Sequence, residues 1–277
     1  MTQSRKTFLK HLGLTALALP VFSMQKTSNA PAPKLTIGLA SYTLRKYNLM
    51  QLIEICKRLN IKDVALKNFH LPLDASDAEI QTTIAKLKDA GLNPYGGGVI
   101  YIKNESEVKN AFRYAKAAGM KLIIGVPNHE LLPLVEKYVK ETDIRLAIHN
   151  HGPGDKVYPT PATVYEKIEK LDKRIGLCID IGHVVRLGMN PIEAIKKYGH
   201  RMYDLHLKDV DGVVAESESI QIGRGVIDIP KLLKALKDVN YKGVMSIEYE
   251  KDADNAENGL AESVGYVRGI LDMIERY

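Results

Sequence analysis

Eight short apolar segments alternate with amphipathic helical segments along this chain, and that alternation constrains the fold more than any other feature. The apolar segments predict strands at 35–40, 62–66, 93–99, 121–126, 144–149, 175–180, 202–207 and 243–248. Strands that alternate with helices form parallel sheets, and eight such units in roughly 250 residues match a closed (β/α)₈ barrel. A doubly wound open sheet is the alternative, but residues 41–45 (SYTLR) are not the glycine-rich turn that such a sheet carries after its first strand. We therefore expect a single-domain TIM barrel of the α/β class.

Several helix ends are also marked by individual residues. Asn48 is a predicted N-cap, and Ser76 with Glu79 three residues later forms a predicted capping box. Gly91 is expected to end that second helix, and Pro230 is expected in the first turn of a later one. These signals agree with the alternation of strands and helices.

The first thirty residues differ in composition from the rest of the chain. They contain four Lys and Arg residues and no acidic residue, and an apolar run covers 12–22. That pattern predicts a signal peptide at 1–30, export to the periplasm, and a barrel domain at 31–277 without a stable membrane span. Residues 4–10 (SRKTFLK) resemble a twin-arginine export motif with Lys6 at the second arginine, so the general secretory route stays open. An uncleaved N-terminal tether is the alternative.

Charge and cysteine content exclude some classes of protein. Removing the four basic residues of 1–30 from the total of 39 leaves 35 Lys and Arg against 33 Asp and Glu, a formal charge of +2. Without a basic stripe, nucleic acid is not an expected partner. Cys56 and Cys178 lie in apolar segments without CxxC spacing, so we expect buried thiols rather than a disulfide framework.

The last four predicted strands end in residues of the types that bind metal ions. His149, Asp180, His206 and Glu248 stand at these four ends. Because side chains alternate across a strand, all four can point into the barrel while their apolar neighbours point towards the helices. Two imidazoles and two carboxylates suit one Zn²⁺, Mn²⁺, Fe²⁺ or Co²⁺ ion and balance its charge. A hydrogen-bonded strand end is the alternative for any single residue, but it does not explain four with matching orientation.

Five segments together resemble the xylose isomerase-like barrel superfamily, the sugar isomerases and epimerases, over essentially the whole of 31–277. They are HNHGPGD (149–155), GLCIDIGH (176–183), YDLHLKD (203–209), QIGRGVIDI (221–229) and YKGVMSIEYE (241–250). The resemblance implies one metal ion held by Glu, Asp, His and Glu from the last four strands. Asp180, His206 and Glu248 match that set, whereas His149 stands where many members have Glu. In the epimerases the two metal-bound Glu residues are the paired bases, so His149 departs from two-base epimerisation.

The resemblance and the chemistry of the residues together imply roles around the metal. Glu248 is the expected base, Lys208 is expected to face a developing oxyanion, and His151 is expected to shuttle protons. The expected substrate-binding residues are His183, Lys67, His70, Tyr101 and Glu250. His129 has weaker support, and His200 precedes a strand and is expected to be structural.

Four functions remain to be compared at this stage. The first is a metal-dependent isomerase or epimerase acting on a keto-sugar through an ene-diolate, and the second is a lyase acting on a 3-keto-glycoside or inosose-like substrate. The third, DNA repair, needs an Asp-x-His where this chain has Ser217 and Ser219, so the three-zinc cluster of those family members is not expected. The fourth is a non-catalytic sugar-binding barrel. The expected partner is a small sugar, and barrels of this superfamily often form homodimers.

Overall fold

The computed structural model describes residues 34–276, so the predicted signal peptide at 1–30 lies outside the described residues. Within the described range, eight parallel strands close a barrel in the order β1-β10-β7-β6-β5-β4-β3-β2, and two further strands, β8 and β9, form a small antiparallel pair. The barrel strands are β1 (Thr36–Ala40), β2 (Asp63–Leu66), β3 (Asn93–Ile102), β4 (Leu122–Pro127), β5 (Arg145–His149), β6 (Ile175–Asp180), β7 (Met202–Leu207) and β10 (Val244–Ile247). The small pair is β8 (Asp209–Val210) and β9 (Ser219–Ile220). The predicted TIM barrel is confirmed.

Helices connect successive barrel strands. They are α1 (Leu49–Arg58), α2 (Asp77–Asp89), α3 (Glu105–Ala117), α4 (Leu132–Thr142), α5 (Pro161–Ile168), α6 (Ile181–Arg186), α7 (Pro191–Tyr198), α8 (Ile229–Asp238) and α9 (Ala256–Arg276). Short 3-10 helices cover Ser41–Leu44, His129–Leu131, Gly199–Arg201 and Ala253–Asn255. No described helix has the length and apolar character needed to cross a membrane.

The predicted helix ends agree with the structure. Asn48 caps α1, and the Ser76 hydroxyl accepts from the Glu79 N–H in a reciprocal capping box at α2. Gly91 follows the end of α2 with a φ of +82°, a left-handed conformation that favours glycine. Pro230 lies in the first turn of α8. Local hydrogen-bonding preferences therefore fix these boundaries without help from the rest of the fold.

The third strand is longer than the prediction of 93–99. It continues to Ile102 because its pairing with β4 shifts register between Gly97 and Ile100. A Cβ atom at Gly98 would overlap the carbonyl group of Ile124, so only glycine allows the two backbones to approach at this irregularity. The extension carries Tyr101 to the rim of the barrel.

Alternation along the strands separates two layers of packing. Leu146 and Ile148 of β5 belong to the large apolar cluster between barrel and helices, whereas Ala147 belongs to a smaller cluster with Cys178. The smaller cluster lies inside the barrel, since Tyr95 from β3 donates a hydrogen bond across it to a carboxylate of β7, a strand that is not its neighbour in the sheet. The predicted inward direction of residue 149 follows from the same alternation.

Both cysteines are free and buried, as expected from the sequence. Burial raises the pKa of the Cys56 and Cys178 thiols to about 12. Both therefore remain neutral thiols at physiological pH, and neither takes part in a disulfide.

A candidate metal centre at the mouth of the barrel

Four buried side chains meet at the carboxyl end of the barrel strands. His149, Asp180, His206 and Glu248 each offer one ligand atom, and these atoms all lie within 4.8 Å of one another. The His206 Nδ1 atom is 3.1 Å from His149 Nε2 and 3.0 Å from Glu248 Oε2. The His149 Nε2 atom is 3.4 Å from Asp180 Oδ2. The structure thus brings together all four residues predicted as metal ligands.

Strand register places these side chains at one level. Asp180 of β6 pairs with His206 of β7, and His149 of β5 pairs with Cys178, two residues before Asp180. Glu248 directly follows β10, whose Ser246 pairs with His206. The tilt of the strands in a closed barrel brings residues at neighbouring strand ends to the same opening.

Hydrogen bonds fix both the backbone and the side chain of Asp180. The amide side chain of Asn150 accepts from the Asp180 N–H at 3.1 Å and donates to the Asp180 carbonyl at 3.2 Å. The Asp180 carboxylate also caps α6, because its Oδ1 accepts from the His183 N–H at 2.9 Å. Sequence reasoning missed the role of Asn150, and its polar character immediately after a buried strand end is the signal that points to it.

A buried lysine lies among the carboxylates. Lys208 is 1% exposed, and its ammonium group donates to Glu248 Oε2 at 2.7 Å and to a carboxylate oxygen of Glu250, and lies 2.9 Å from Asp180 Oδ2. The side chain passes over Gly182, where an added Cβ atom would stand 2.5 Å from Lys208 Cδ. Burial opposes protonation, but Asp180, Glu248 and Glu250 outweigh it and raise the pKa of Lys208 well above its usual value. Lys208 is therefore a fixed cation in the site.

The charge states of the candidate ligands follow from their surroundings. Burial by itself would raise the pKa of the Glu248 carboxyl, but His206 and Lys208 hold that pKa well below the usual range. Burial likewise works against ionised Asp180, whose pKa is lowered by His183 and Lys208. Burial lowers the pKa of His149 well below its usual value. Burial also opposes protonation of His206, but the neighbouring Cys178 and Glu248 outweigh it and raise the pKa of that ring well above its usual value. Asp180, Glu248 and His149 are therefore in the forms that bind metal ions, whereas His206 has to lose a proton when an ion binds.

The residues fit a divalent metal ion. Asp180 Oδ2 is buried and accepts no well-formed hydrogen bond from the described part of the chain, although the Lys208 ammonium group lies 2.9 Å away. That single ammonium group is shared among Asp180, Glu248 and Glu250, so negative charge remains for a divalent ion to balance. Nitrogen and oxygen donors from two imidazoles and two carboxylates suit Zn²⁺, Mn²⁺, Fe²⁺ or Co²⁺. Cys178 also lies near the two histidines, but its neutral thiol is a poor ligand.

A second group of aromatic rings lies beside the four ligands. The ring of His151 stands 4.4 Å from that of His149 and 5.8 Å from that of His183, measured between centroids. The Tyr101 hydroxyl is 2.8 Å from His151 Nε2, and His183 Nε2 is 3.9 Å from Asp180 Oδ2. Burial lowers the pKa of both His151 and His183. Three residues predicted to act on or bind the substrate therefore border the candidate metal centre.

Other predicted residues occupy different positions. Lys67 donates to the Val99 carbonyl, and burial lowers the pKa of its ammonium group while Glu248 acts to raise it. Glu250 lies beside the centre through its contact with Lys208. His70 is buried, and its two ring nitrogens contact the Ser41 hydroxyl at 3.1 Å and the Tyr47 carbonyl at 3.0 Å. These contacts tie loops together, and a substrate contact by His70 stays a prediction.

Two further histidines lie away from the four ligands. His129 contacts the Val157 carbonyl at 3.0 Å and packs edge-on against Tyr158. His200 lies in the 3-10 helix before β7, beside Tyr165, at the end of the barrel opposite the site. Its structural position agrees with the prediction.

Comparison with known proteins identifies the family. A family model described as xylose isomerase-like TIM barrel matches residues 9–270. The chain belongs to this family. Its closed eight-stranded barrel is the fold of that family.

Relatives of this xylose isomerase-like barrel include proteins named for inosose chemistry. The inosose dehydratase of Clostridium botulinum (strain Alaska E43 / Type E3) is 33% identical over 126 residues, which cover 38% of this chain and 40% of the dehydratase. The match thus spans less than half the length of that relative. The inosose isomerase of Bacillus velezensis (strain DSM 23117 / BGSC 10A6 / LMG 26770 / FZB42) is 21% identical over 238 residues, which cover 74% of this chain and 85% of the isomerase.

Solved structures share the architecture. A crystal structure of the IolI protein with a zinc atom superposes with a TM-score of 0.73 at 17% identity, covering 86% of this chain and 99% of that one. Similarity at this level of identity shows the common fold.

Proposed function

We propose that this protein is a divalent-metal-dependent enzyme that isomerises or epimerises a keto-sugar. The observation that carries the proposal is the convergence of His149, Asp180, His206 and Glu248 on one point beside the buried Lys208 ammonium group. Two named relatives, an inosose dehydratase and an inosose isomerase, support a cyclic polyhydroxy ketone as the class of substrate. The non-catalytic barrel has less support, because the candidate ligand set is complete.

The residues suit proton transfer next to a carbonyl group. A divalent ion held by the four ligands supplies Lewis-acid stabilisation of negative charge on a substrate oxygen. Glu248 is ionised and lies at the barrel mouth, so its carboxylate can accept a proton from the carbon beside the carbonyl and return it to a neighbouring carbon. Lys208 orients that carboxylate through the 2.7 Å hydrogen bond and contributes a positive charge near the developing oxyanion.

The neighbouring histidines complete the proton path. His151 and His183 are neutral at physiological pH because burial lowers the pKa of each, so either ring can both donate and accept a proton. The Tyr101 hydroxyl contacts His151 Nε2 and fixes the orientation of that ring. These groups are placed to bind substrate hydroxyls and to exchange protons with them.

A lyase reaction is the second candidate, and the presence of His149 favours it. Elimination needs one base and one acid, whereas the two-base epimerisation that the resemblance implies uses two metal-bound carboxylates, and this site has a histidine where the second would stand. Glu248 would take the proton from the carbon next to the carbonyl, the electron pair would form a carbon–carbon double bond, and the β-carbon–oxygen bond would break. His151 would return a proton to the departing oxygen. The products would be an unsaturated ketone and water or an alcohol.

Metal content is the first test of both candidates. Protein lacking residues 1–30 should contain about one transition-metal ion per chain, since four buried ligands form one site. Asp180→Ala and Glu248→Ala should lose that ion. Asp155→Asn, which removes a carboxylate outside the ligand set, should retain it. A wild type that contains no metal and cannot be reloaded would exclude the proposed mechanism and favour a carbohydrate-binding barrel.

Turnover in deuterated water separates the two reactions. Isomerisation or epimerisation of a 3-keto-glycoside or an inosose gives an isomer that keeps all of the substrate's heavy atoms and is heavier only by the deuterium that it takes up from the solvent. Elimination gives an unsaturated ketone and a free alcohol or water, and no deuterated isomer of the substrate is recovered. Nuclear magnetic resonance of the reaction mixture distinguishes these products directly.

The cellular location is part of the proposal. The basic start and the apolar run at 12–22 support export, and the expected site of action is the periplasm. Fractionation of cells that express the full chain should place the protein outside the cytoplasm, whereas a chain lacking 1–30 should stay inside. Equal distribution of the two chains would contradict the prediction.

A further inference from the structure

A cavity beside the candidate metal centre has not yet been given a role. It has a volume of about 380 Å³ and lies between the loop that follows β2 and the carboxyl-terminal part of β3. Its lining includes Lys67, Phe69, Leu73, Val99 and Tyr101. A neighbouring cavity of about 350 Å³ shares Leu73 and Tyr101 with it, so the two form one elongated depression along the rim of the barrel.

Two side chains connect the depression to the metal centre. Tyr101 lines both cavities, and its hydroxyl contacts His151 Nε2 at 2.8 Å. The His151 ring in turn lies 4.4 Å from the ring of the ligand His149. The rings of Tyr101 and His151 therefore separate the depression from the ligand His149, with successive centroids 5.3 Å and 4.4 Å apart.

The walls combine aromatic faces with polar groups. Phe69 is 51% exposed and Tyr101 is 50% exposed, although large apolar side chains at a rim usually pack against the protein. The ring of Tyr42 lies 6.0 Å from that of Phe69 and extends the aromatic surface. The Lys67 ammonium group and the Asn68 amide supply polar contacts in the same space. A ring with an apolar face and polar edges matches this combination.

We propose that the depression is a subsite for a second ring joined to the reacting sugar through a glycosidic oxygen, with Phe69 as its stacking surface. The physiological substrate is then a glycoside, carrying a second sugar or an aryl group, rather than a free monosaccharide. This inference rests on the proposed function, since it assumes that the reacting sugar lies at the metal centre. Phe69 determines specificity and has no part in the chemistry.

Binding of unreactive glycosides tests the subsite without turnover. Titration calorimetry with cellobiose, 4-nitrophenyl β-D-glucoside and methyl β-D-glucoside compares a sugar ring, an aryl ring and no ring at the second position. Stacking on one aromatic face predicts that wild type binds at least one of the two-ring probes about tenfold more tightly than the methyl glucoside. Phe69→Ala should abolish that preference and change affinity for the methyl glucoside by less than about twofold. Met273→Ala, an exposed apolar substitution on α9, should leave all three affinities unchanged.

The outcomes separate this inference from the proposed function. A preference for cellobiose alone identifies a second sugar, and a preference for the nitrophenyl compound alone identifies an aryl group. A wild type without any preference, including one that binds none of the probes, overturns the subsite, as does a preference that survives in Phe69→Ala. Failure of the proposed function would appear instead as missing metal or missing turnover, with the binding preference intact.

Discussion

The Lys208 ammonium group lies 2.7 Å from Glu248 Oε2 and 2.9 Å from Asp180 Oδ2, in a position that is closed to solvent. One buried cation is therefore shared by two carboxylates that are also candidate metal ligands. Because the same oxygens serve both cations, the lysine and a divalent ion are energetically coupled.

Lys208→Met should destabilise the metal-free protein. Removing the cation leaves the Asp180, Glu248 and Glu250 carboxylates close together, and breaking a buried ion pair costs about 3–5 kcal/mol. A divalent ion should restore much of this loss, so its addition should raise the melting temperature of the variant more than that of wild type. Lys196→Met, which breaks an exposed pair with Glu193, should cost no more than about 1 kcal/mol. Scanning calorimetry with and without metal measures these shifts, and equal shifts in wild type and Lys208→Met would rule out the coupling.

His149→Glu should strengthen divalent metal binding by about tenfold or more, since a third carboxylate adds attraction for the ion at the centre. The same change should destabilise the metal-free protein, because it adds a like charge beside Asp180. Competition with a chromogenic chelator measures the affinity. His129→Glu is the matched control, because His129 contacts the Val157 carbonyl and lies outside the ligand set. Weaker metal binding in His149→Glu would show that residue 149 does not face the ion.

Asp209→Ala should destabilise the loop at 221–228, which follows β9. Its carboxylate is buried and accepts the N–H groups of four residues at 2.9–3.2 Å. These are Val210, Gly223, Gly225 and Ile227. Loss of a charged acceptor with several buried donors should lower the free energy of unfolding by about 3 kcal/mol or more.

Urea unfolding measures the loss in Asp209→Ala. Asp211→Ala is its control, since the Asp211 carboxylate is exposed and accepts a single described backbone N–H, that of Glu218. The control should lose about 1 kcal/mol or less. Similar losses in the two variants would contradict the role assigned to Asp209.

The two thiols should be unreactive in the folded protein. Burial raises the pKa of Cys56 and Cys178 to about 12, so at pH 8 only about one thiol in ten thousand is ionised, and neither is open to solvent. A thiol reagent such as Ellman's reagent should therefore label neither cysteine until guanidinium chloride is added, and then both. Rapid labelling of the folded protein would contradict the burial of these side chains.

Much of the site was predictable because a strand reverses the direction of successive side chains. Once the strands at 144–149 and 175–180 were identified, the inward direction of His149 and Asp180 followed from period two alone. The same rule placed Lys208 on the face of His206. Asn150 was missed because its hydrogen bonds join residues on neighbouring strands, and sequence spacing does not reveal such pairs. His70 follows β2, as a pocket residue would, yet its contacts are Ser41 and Tyr47.

The sequence by itself determined the barrel, the helix boundaries and the four candidate ligands, because these depend on local periodicity and on hydrogen bonds within a few residues. Only the tertiary structure decided which charged and polar groups pair with one another and which side chains stay exposed. The position of Lys208 among three carboxylates, the space that Gly182 leaves for it and the exposed face of Phe69 all depend on elements far apart in the chain. Closure of the barrel brings those elements together. In that buried space each charge needs a partner of opposite charge, and a Cβ atom at Gly182 would collide with the Lys208 side chain.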